Sequence, residues 1–258
     1  RYDYYVTGSD QVWNPHSYRD VGGSYFLDFV DEGSRKISYA ASIADDIDER
    51  FYPDFANYLT SFDWISVREK SAEKLLRKLI DRPVHVTLDP TLLLSRDVWT
   101  RVSTPVSIRG KYVVAYDLVR SPTLSLVTNL IARRRQCSVI SYSTRERYAN
   151  QCGSFYCYNP MEFVGLISGA DFVVTSSFHG MAFAILFGKP FYAVLHPTRG
   201  CRMVDLLGAL GLQDRLIADR VSPSLLDNSS IDYEAVYATL SVLRARSMDF
   251  LRAALDVH

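Results

Sequence analysis

The hydrophobic positions of this chain fall into short apolar runs that alternate with longer segments of helical periodicity. Runs such as Tyr4 to Thr7 and Arg35 to Ala41 contain aromatic and β-branched residues and end at small or polar ones, as strands do. Segments such as 45 to 60 instead place their apolar residues on one helical face. Strands that alternate with helices in this way predict an α/β protein with parallel sheets.

The alternation is interrupted between residues 95 and 110, a stretch with proline and glycine and no strong periodicity. We therefore expect a linker there, between two Rossmann-like, doubly wound domains that face a central cleft. The expected boundaries are residues 1 to 100 for the first domain and 110 to 258 for the second. A long helix over residues 232 to 255 is expected to close the second domain.

The most informative stretch is DFVVTSSFHGMAFAILFGKPFYAVL at residues 171 to 195. The run from Asp171 to Thr175 predicts a buried strand, and the apolar residues Phe178 to Phe187 predict a packed helix. A second apolar run, Phe191 to Leu195, follows the helix directly. The segment therefore predicts a short βαβ crossover between parallel strands.

The turn between this strand and its helix holds the candidate chemistry. Ser176 and Ser177 can accept hydrogen bonds from the first N–H groups of the helix. His179 lies in the first helical turn, where free N–H groups and the positive end of the helix dipole favour a phosphate or carboxylate. The histidine is therefore a candidate to bind an anion or to transfer a proton. The alternative is a capped helix whose histidine only packs.

Polar residues with reactive side chains recur directly after the predicted strands. Because the carboxyl ends of strands in an open α/β sheet line one edge, we expect these side chains to converge. They are Asp10, Ser42, Arg68, Asp89, Asp117, Ser176, Ser177, His179 and His196. The alternative is that loops are polar in general. General loop polarity explains the serines well, but it explains Arg68, Asp89 and His179 less well, because each follows an apolar strand.

Composition narrows the classes of function. Among 258 residues, Lys and Arg together number 29, as do Asp and Glu, so no basic surface for nucleic acid is expected. The four cysteines have no CxxC spacing, which is typical of reduced cysteines in a cytoplasmic protein. The five histidines form no HExxH or HxH pair, so no metal site is expected. No apolar stretch approaches the ~20 residues of a transmembrane helix.

Five segments together resemble the polysaccharide pyruvyl transferase family. In chain order they are GSDQVWNP at residues 8 to 15, YAAS at 39 to 42, ISVREKSAEKLL at 65 to 76, LDPTLLL at 88 to 94 and VVTSSFHGMAFAILFGKPF at 173 to 191. The resemblance extends from near the first residue to about Arg215. It implies a fold like that of the GT-B glycosyltransferases, with two Rossmann-like domains and a cleft between them.

The resemblance also implies a reaction. Members of the family transfer pyruvate from phosphoenolpyruvate to two hydroxyls of a sugar, which gives a cyclic ketal on a polysaccharide or its lipid-linked precursor. Phosphoenolpyruvate is then the donor substrate, and no cofactor or metal is implied. The expected acceptor is a saccharide, including a lipid-linked one, and the expected role is exopolysaccharide biosynthesis.

The matched motif positions also imply site residues. The family's basic anion-binding position falls on Arg68, and its proposed catalytic histidine falls on His179. Asp10 and Asp89 match signature positions and are the other catalytic candidates. The remaining expected substrate-binding residues are Ser9, Ser176, Ser177 and Gly180. Members of the family usually begin with one more strand and a short loop before GSDQVW, so the first domain is expected to be incomplete.

Two other functions stay open at this point. A GT-B-type glycosyltransferase would use a sugar nucleotide and hold its diphosphate at the turn over residues 176 to 180. A non-catalytic glycan-binding module would agree with an incomplete first domain. Donor binding distinguishes these alternatives, because only a pyruvyl transferase uses phosphoenolpyruvate.

Overall fold

The computed structural model describes residues 2–15, 23–31, 33–44, 47–143, 154–156, 159–195, 200–218, 226 and 230–256. Within these ranges the chain forms ten strands and eight α-helices, and every strand pairs in parallel with its neighbours. The strands make two separate sheets. The predicted α/β class with parallel sheets is thereby confirmed.

The chain divides into two compact units. The first contains Arg1–Leu93, Thr198–Leu206 and Tyr237–His258, and the second contains Leu94–Pro197 and Leu207–Val236. The expected boundaries differ from this division mainly at the C-terminus, because most of the last helix belongs to the first unit.

The first unit contains a four-stranded sheet in the order β1-β2-β3-β4. Its strands are β1 (Tyr4–Thr7), β2 (Arg35–Ala41), β3 (Trp64–Val67) and β4 (Val84–Val86). Its helices are α1 (Tyr52–Leu59), α2 (Lys70–Leu79), the first turns of α7 (Cys201–Ala209) and most of α8 (Tyr233–Ala254). Among the described strands of this unit the order follows the chain without reversal.

Different helices cover the two faces of this first sheet. One hydrophobic cluster contains Val67 of β3 and Leu76 of α2. A separate cluster contains Tyr39 of β2 and Phe250 of α8. Because a strand directs alternate side chains to opposite faces, both faces need an apolar cover. Helix α8 supplies the second cover, which is why the end of the chain belongs to the first unit.

The second unit contains a six-stranded sheet in the order β7-β6-β5-β8-β9-β10. Its strands are β5 (Tyr112–Tyr116), β6 (Ser138–Ser143), β7 (Ser154–Tyr156), β8 (Phe172–Thr175), β9 (Phe191–Val194) and β10 (Leu216–Ile217). Its helices are α3 (Arg96–Val102), α4 (Pro122–Arg135), α5 (Pro160–Gly169) and α6 (Phe178–Leu186).

This strand order is the doubly wound Rossmann order, 3-2-1-4-5-6 when the strands are counted within the unit. The direction of winding reverses between β5 and β8, which pair from Val113–Phe172 to Tyr116–Thr175. At such a reversal the two following loops diverge and leave a crevice at the carboxyl edge of the sheet. The turn after β8, which carries His179, lies at this position.

One local prediction needs correction. The segment expected to be a linker, residues 95 to 110, begins with helix α3. The Ser95 hydroxyl accepts a hydrogen bond from Val98 N and caps the helix. Trp99 packs edge to face on Phe183 of α6, with ring centroids 5.0 Å apart. The sequence did not predict this helix, because seven residues are too few to show a clear helical periodicity.

Candidate active site

The loop after β1 crosses the carboxyl end of β2 and places Asp10 there. Gly8 has a φ of 110°, and a Cβ at this position would lie 2.2 Å from the Tyr39 carbonyl oxygen, so only glycine fits. Asp10 forms a parallel bridge with Ala41, and its carbonyl oxygen accepts a hydrogen bond from Ser42 N at 2.8 Å. The backbone therefore fixes Asp10 over the edge of the first sheet.

Arg68, directly after β3, is the centre of a charged cluster at this edge. Its Nη1 donates to Asp89 Oδ2 at 2.5 Å, and its Nη2 donates to Asp10 Oδ1 at 2.9 Å. Arg202 Nη1 donates to the same Asp10 oxygen at 3.1 Å. The side chains of Arg68 and Asp89 are 3% and 2% exposed, whereas that of Asp10 is 56% exposed. Asp10 is therefore the member of the cluster that solvent reaches.

Asp89 is held by donors on both carboxylate oxygens. Its Oδ1 accepts from Thr91 N at 3.0 Å and from Thr91 Oγ1 at 2.7 Å. Its Oδ2 accepts from Arg68 and lies 3.0 Å from the hydroxyl of Ser9, which is 3.1 Å from the Ala40 carbonyl oxygen. A buried carboxylate with this many donors anchors its neighbours. Ser9 contributes to the same anchor.

Glu69 and Arg202 complete the cluster, and neither was expected to belong to the site. The Ser42 hydroxyl donates a hydrogen bond to Glu69 Oε1. Burial raises the pKa of the Glu69 carboxyl, and the nearby Arg68 offsets this only in part. Burial and the charge of Arg68 lower the pKa of Arg202. For Arg68 itself, burial lowers the pKa, but Asp89 and two further carboxylates outweigh burial, so it is raised.

The geometry of Arg68 differs from that of a guanidinium open to a ligand. Each of its two terminal nitrogens already donates to a carboxylate of the protein. The alternative to an anion-binding arginine is a structural ion pair, and the present arrangement contains that ion pair. Of its two carboxylate partners, Asp10 is the exposed one, so the Asp10 side of Arg68 is the side nearer to solvent.

In the second unit, Ser176 joins the two strand ends at the reversal of the sheet. Its hydroxyl donates to Asp117 Oδ1 at 3.0 Å and accepts from Leu118 N at 2.9 Å. Asp117 Oδ2 also accepts from Ser121 N at 2.6 Å, which fixes the loop before α4. Ser176 is buried, and its two hydrogen bonds hold the loop after β5 at the edge of the sheet.

Ser177 caps helix α6 and sets the position of His179. The Ser177 hydroxyl accepts from Gly180 N at 3.4 Å, and its carbonyl accepts from Met181 N at 3.1 Å. His179 is half-buried in the first turn, and its ring packs edge to face with Phe178 at 5.5 Å. His179 is thereby the partly exposed titratable side chain at this turn. His196, another candidate, lies outside the described residues.

Gly180 is required for the contact between α6 and the sheet. A Cβ at this position would lie 2.5 Å from Thr175 Oγ1 and 3.0 Å from Tyr116 Cδ1.

We expect Gly180→Ala to lower the free energy of unfolding by about 1 to 3 kcal/mol, because the added methyl overpacks a buried contact. Urea unfolding followed by circular dichroism measures this. Gly208→Ala in α7, where a Cβ meets nothing within 4 Å, is the matched control and should be neutral or stabilising. Equal effects of the two substitutions would contradict the packing role.

Neither metal ligation nor a membrane span appears in the part of the chain that the structure describes. Across the described ranges, no group of three or more His, Cys, Asp or Glu side chains is placed to hold a metal ion. No helix formed by those residues has both the length and the apolar character needed to cross a bilayer.

A sequence model of the polysaccharide pyruvyl transferase family matches residues 1–197. The chain belongs to this family. Both candidate regions lie within the match, from Asp10 to His179, whereas Arg202 lies beyond it. As a member of the polysaccharide pyruvyl transferase family, the chain is a transferase, and the resemblance seen in the sequence is confirmed. Among curated proteins, none matches this member of the family.

Solved glycosyltransferases have a distant likeness to this pyruvyl transferase family member. The glycotransferase of kitacinnamycin is 12% identical with a TM-score of 0.43, over 86% of this chain and 68% of that one. The glycosyltransferase SnogD from Streptomyces nogalater is 10% identical with a TM-score of 0.36, over 86% and 68%. UGT2 of Phytolacca americana is 9% identical with a TM-score of 0.31, over 77% and 50%.

Proposed function

We propose that this chain transfers pyruvate from phosphoenolpyruvate to two hydroxyls of a saccharide, with release of phosphate and formation of a cyclic ketal. One observation carries the proposal. His179 lies in the first turn of α6, at the reversal of the doubly wound sheet, within the segment that the family model matches. A titratable side chain beside a helix N-terminus suits a donor that carries both a phosphate and a carboxylate.

His179 is proposed to donate the proton that starts the reaction. Protonation of the methylene carbon of phosphoenolpyruvate makes the adjacent carbon electron-poor, and a sugar hydroxyl adds to that carbon and loses its proton. Phosphate then leaves with its pair of electrons, and the second hydroxyl adds in its place and loses its proton, which closes the ketal. Each step moves a proton to or from a reacting group, which is the chemistry that a histidine and a carboxylate supply.

The other candidate residues receive different roles. Asp10 is the exposed carboxylate of the charged cluster around Arg68 and is proposed to accept a proton from a sugar hydroxyl. Ser177 and Gly180 act through the position of α6, and Ser176 through the loop after β5. Ser9 and Asp89 hold Arg68 in place. The proposal therefore requires contact with substrate for Asp10 but not for the supporting residues Ser9, Asp89, Ser176, Ser177 and Gly180.

The acceptor, the biological role and the cellular compartment are parts of the same proposal. The acceptor is proposed to be a polysaccharide unit or its lipid-linked precursor, and the biological role is exopolysaccharide biosynthesis. Donor binding needs no cofactor in this scheme. The cytoplasm is the proposed compartment, and the free cysteines Cys137 and Cys201 agree with reducing conditions.

Product analysis tests this function. The protein is mixed with phosphoenolpyruvate and a panel of saccharide acceptors, and phosphate release is followed alongside the mass of each saccharide. We expect phosphate release that depends on the acceptor, together with a product heavier by pyruvate minus water. A sugar nucleotide in place of phosphoenolpyruvate should give no product. Glycosyl transfer from a sugar nucleotide, without pyruvyl transfer, would overturn the proposal in favour of a glycosyltransferase.

A further inference from the structure

Two arginines from distant parts of the chain converge on one oxygen of Asp10. Arg68 follows β3, and Arg202 is the second residue of α7. Their guanidinium nitrogens lie 2.9 Å and 3.1 Å from Asp10 Oδ1. Each of these contacts is a charge-assisted hydrogen bond, stronger than a bond between neutral groups. The carboxylate is therefore bound in the way that a protein binds a small anion.

The burial of the three groups is unequal. The side chains of Arg68 and Arg202 are 3% and 9% exposed, whereas that of Asp10 is 56% exposed. Two desolvated cations are costly unless an anion lies beside them. The arginines are fixed in the interior, and the carboxylate covers them from the solvent side. Among the described residues, the Asp10 carboxylate marks a position that solvent reaches and from which one oxygen contacts both guanidinium groups.

The charges of the cluster identify which cation Asp10 balances. Asp89 compensates Arg68 from the interior. Glu69 lies beside both arginines but is fully buried, so it also compensates them from the interior. Asp10 is thus the main exposed counter-charge of Arg202, whose pKa is lowered by burial and by Arg68. Without the Asp10 carboxylate, the cluster would carry one more positive charge that solvent anions could reach.

We propose that Arg68 and Arg202 form an anion site for a phosphate or carboxylate group, and that Asp10 occupies this site until such an anion displaces it. Arg202 would then be a ligand-binding residue outside the segment that the family model matches. The identity of the anion as a group of phosphoenolpyruvate rests on the proposed function. The displaced Asp10 would lose two cationic partners and become a stronger base for a sugar hydroxyl.

Removal of the Asp10 charge tests the proposal, because the predicted effect is a gain of binding. Asp10 has a φ of 65°, which asparagine and glycine tolerate, so Asp10→Asn and Asp10→Gly should fold. We expect both variants to bind inorganic phosphate at least about tenfold more tightly than wild type in calorimetry. The same titration with pyruvate, which has only a carboxylate, distinguishes which anionic group the site prefers.

Two further variants keep the test specific. Asp214→Asn removes an exposed carboxylate, 50% exposed, from the buried Arg215, which is 2% exposed, at 3.0 Å in the second unit. It makes the same change of charge and should leave phosphate affinity unchanged. Asp10→Gly combined with Arg202→Gln should lose the gain.

Wild-type affinity in both Asp10 variants, an equal gain in Asp214→Asn or a gain that persists without Arg202 would each overturn the proposal. Phosphate binding requires no pyruvyl transfer, so this test can fail or succeed independently of the proposed reaction.

Discussion

His179→Gln is expected to lower the rate of phosphate release from phosphoenolpyruvate by about 10²- to 10⁴-fold, the usual contribution of a general acid or base. Glutamine keeps a hydrogen-bonding side chain in the first turn of α6 but cannot transfer a proton at neutral pH. The Ser177 cap is formed by backbone and hydroxyl groups, so the helix should keep its position. Phosphate release with saturating acceptor, measured on folded protein, gives the effect on turnover.

The control for this substitution is another histidine. His85 of β4 packs beside Trp64 and Phe250, and burial lowers its pKa. We expect His85→Gln to keep wild-type turnover, because His85 has no part in the proposed site. Turnover near that of wild type in His179→Gln would remove the acid role from His179. The assignment would then pass to Asp10, since both oxygens of Asp89 already accept hydrogen bonds.

Arg68→Met is expected to lower the free energy of unfolding by about 3 to 5 kcal/mol, because it leaves the carboxylate of Asp89 buried without its cation. Asp89 is only 2% exposed, so water cannot replace the lost charge. Arg68→Lys should cost less, since it keeps the charge, but a single ammonium cannot reach Asp89 and Asp10 with the geometry of the fork. Urea unfolding of the whole chain, followed by fluorescence and circular dichroism, measures both variants.

Arg77 of α2 provides the comparison for this stability effect. It pairs with Glu73 one turn away, and its side chain is 59% exposed. Exposed pairs of this kind contribute little, so Arg77→Met should change the free energy of unfolding by less than about 1 kcal/mol. If Arg68→Met lowered the free energy of unfolding as little as Arg77→Met, the buried ion pairs of Arg68 would not stabilise the protein as proposed.

Much of the fold could be predicted because its signals are local. The run Phe172–Thr175 and the apolar helix Phe178–Leu186 are visible in any window of the sequence, and the cap at Ser177 marks their junction. The approach of Asp10 to Arg68 could also be anticipated, since both come directly after parallel strands of one sheet. In an α/β protein the topology places the residues at each strand end, and the alternation of strands and helices indicates that topology.

The features that sequence reasoning missed depend on contacts between distant segments. Arg202 begins a helix that appears ordinary in sequence, and only the folded chain brings it to Asp10. Helix α8 has apolar positions that fit several partners, and its contact with Tyr39 decides to which unit it belongs. Arg68 appeared as an open anion site because a sequence does not show that Asp89 lies beneath it. No local pattern encodes these three relations.

Calorimetry of donor binding tests the central claim of pyruvyl transfer most directly. The protein is titrated with phosphoenolpyruvate and, in parallel, with a panel of sugar nucleotides under the same conditions of pH and salt. We predict saturable binding of phosphoenolpyruvate and no binding of any sugar nucleotide at the same concentrations. Binding of a sugar nucleotide without binding of phosphoenolpyruvate would contradict the account.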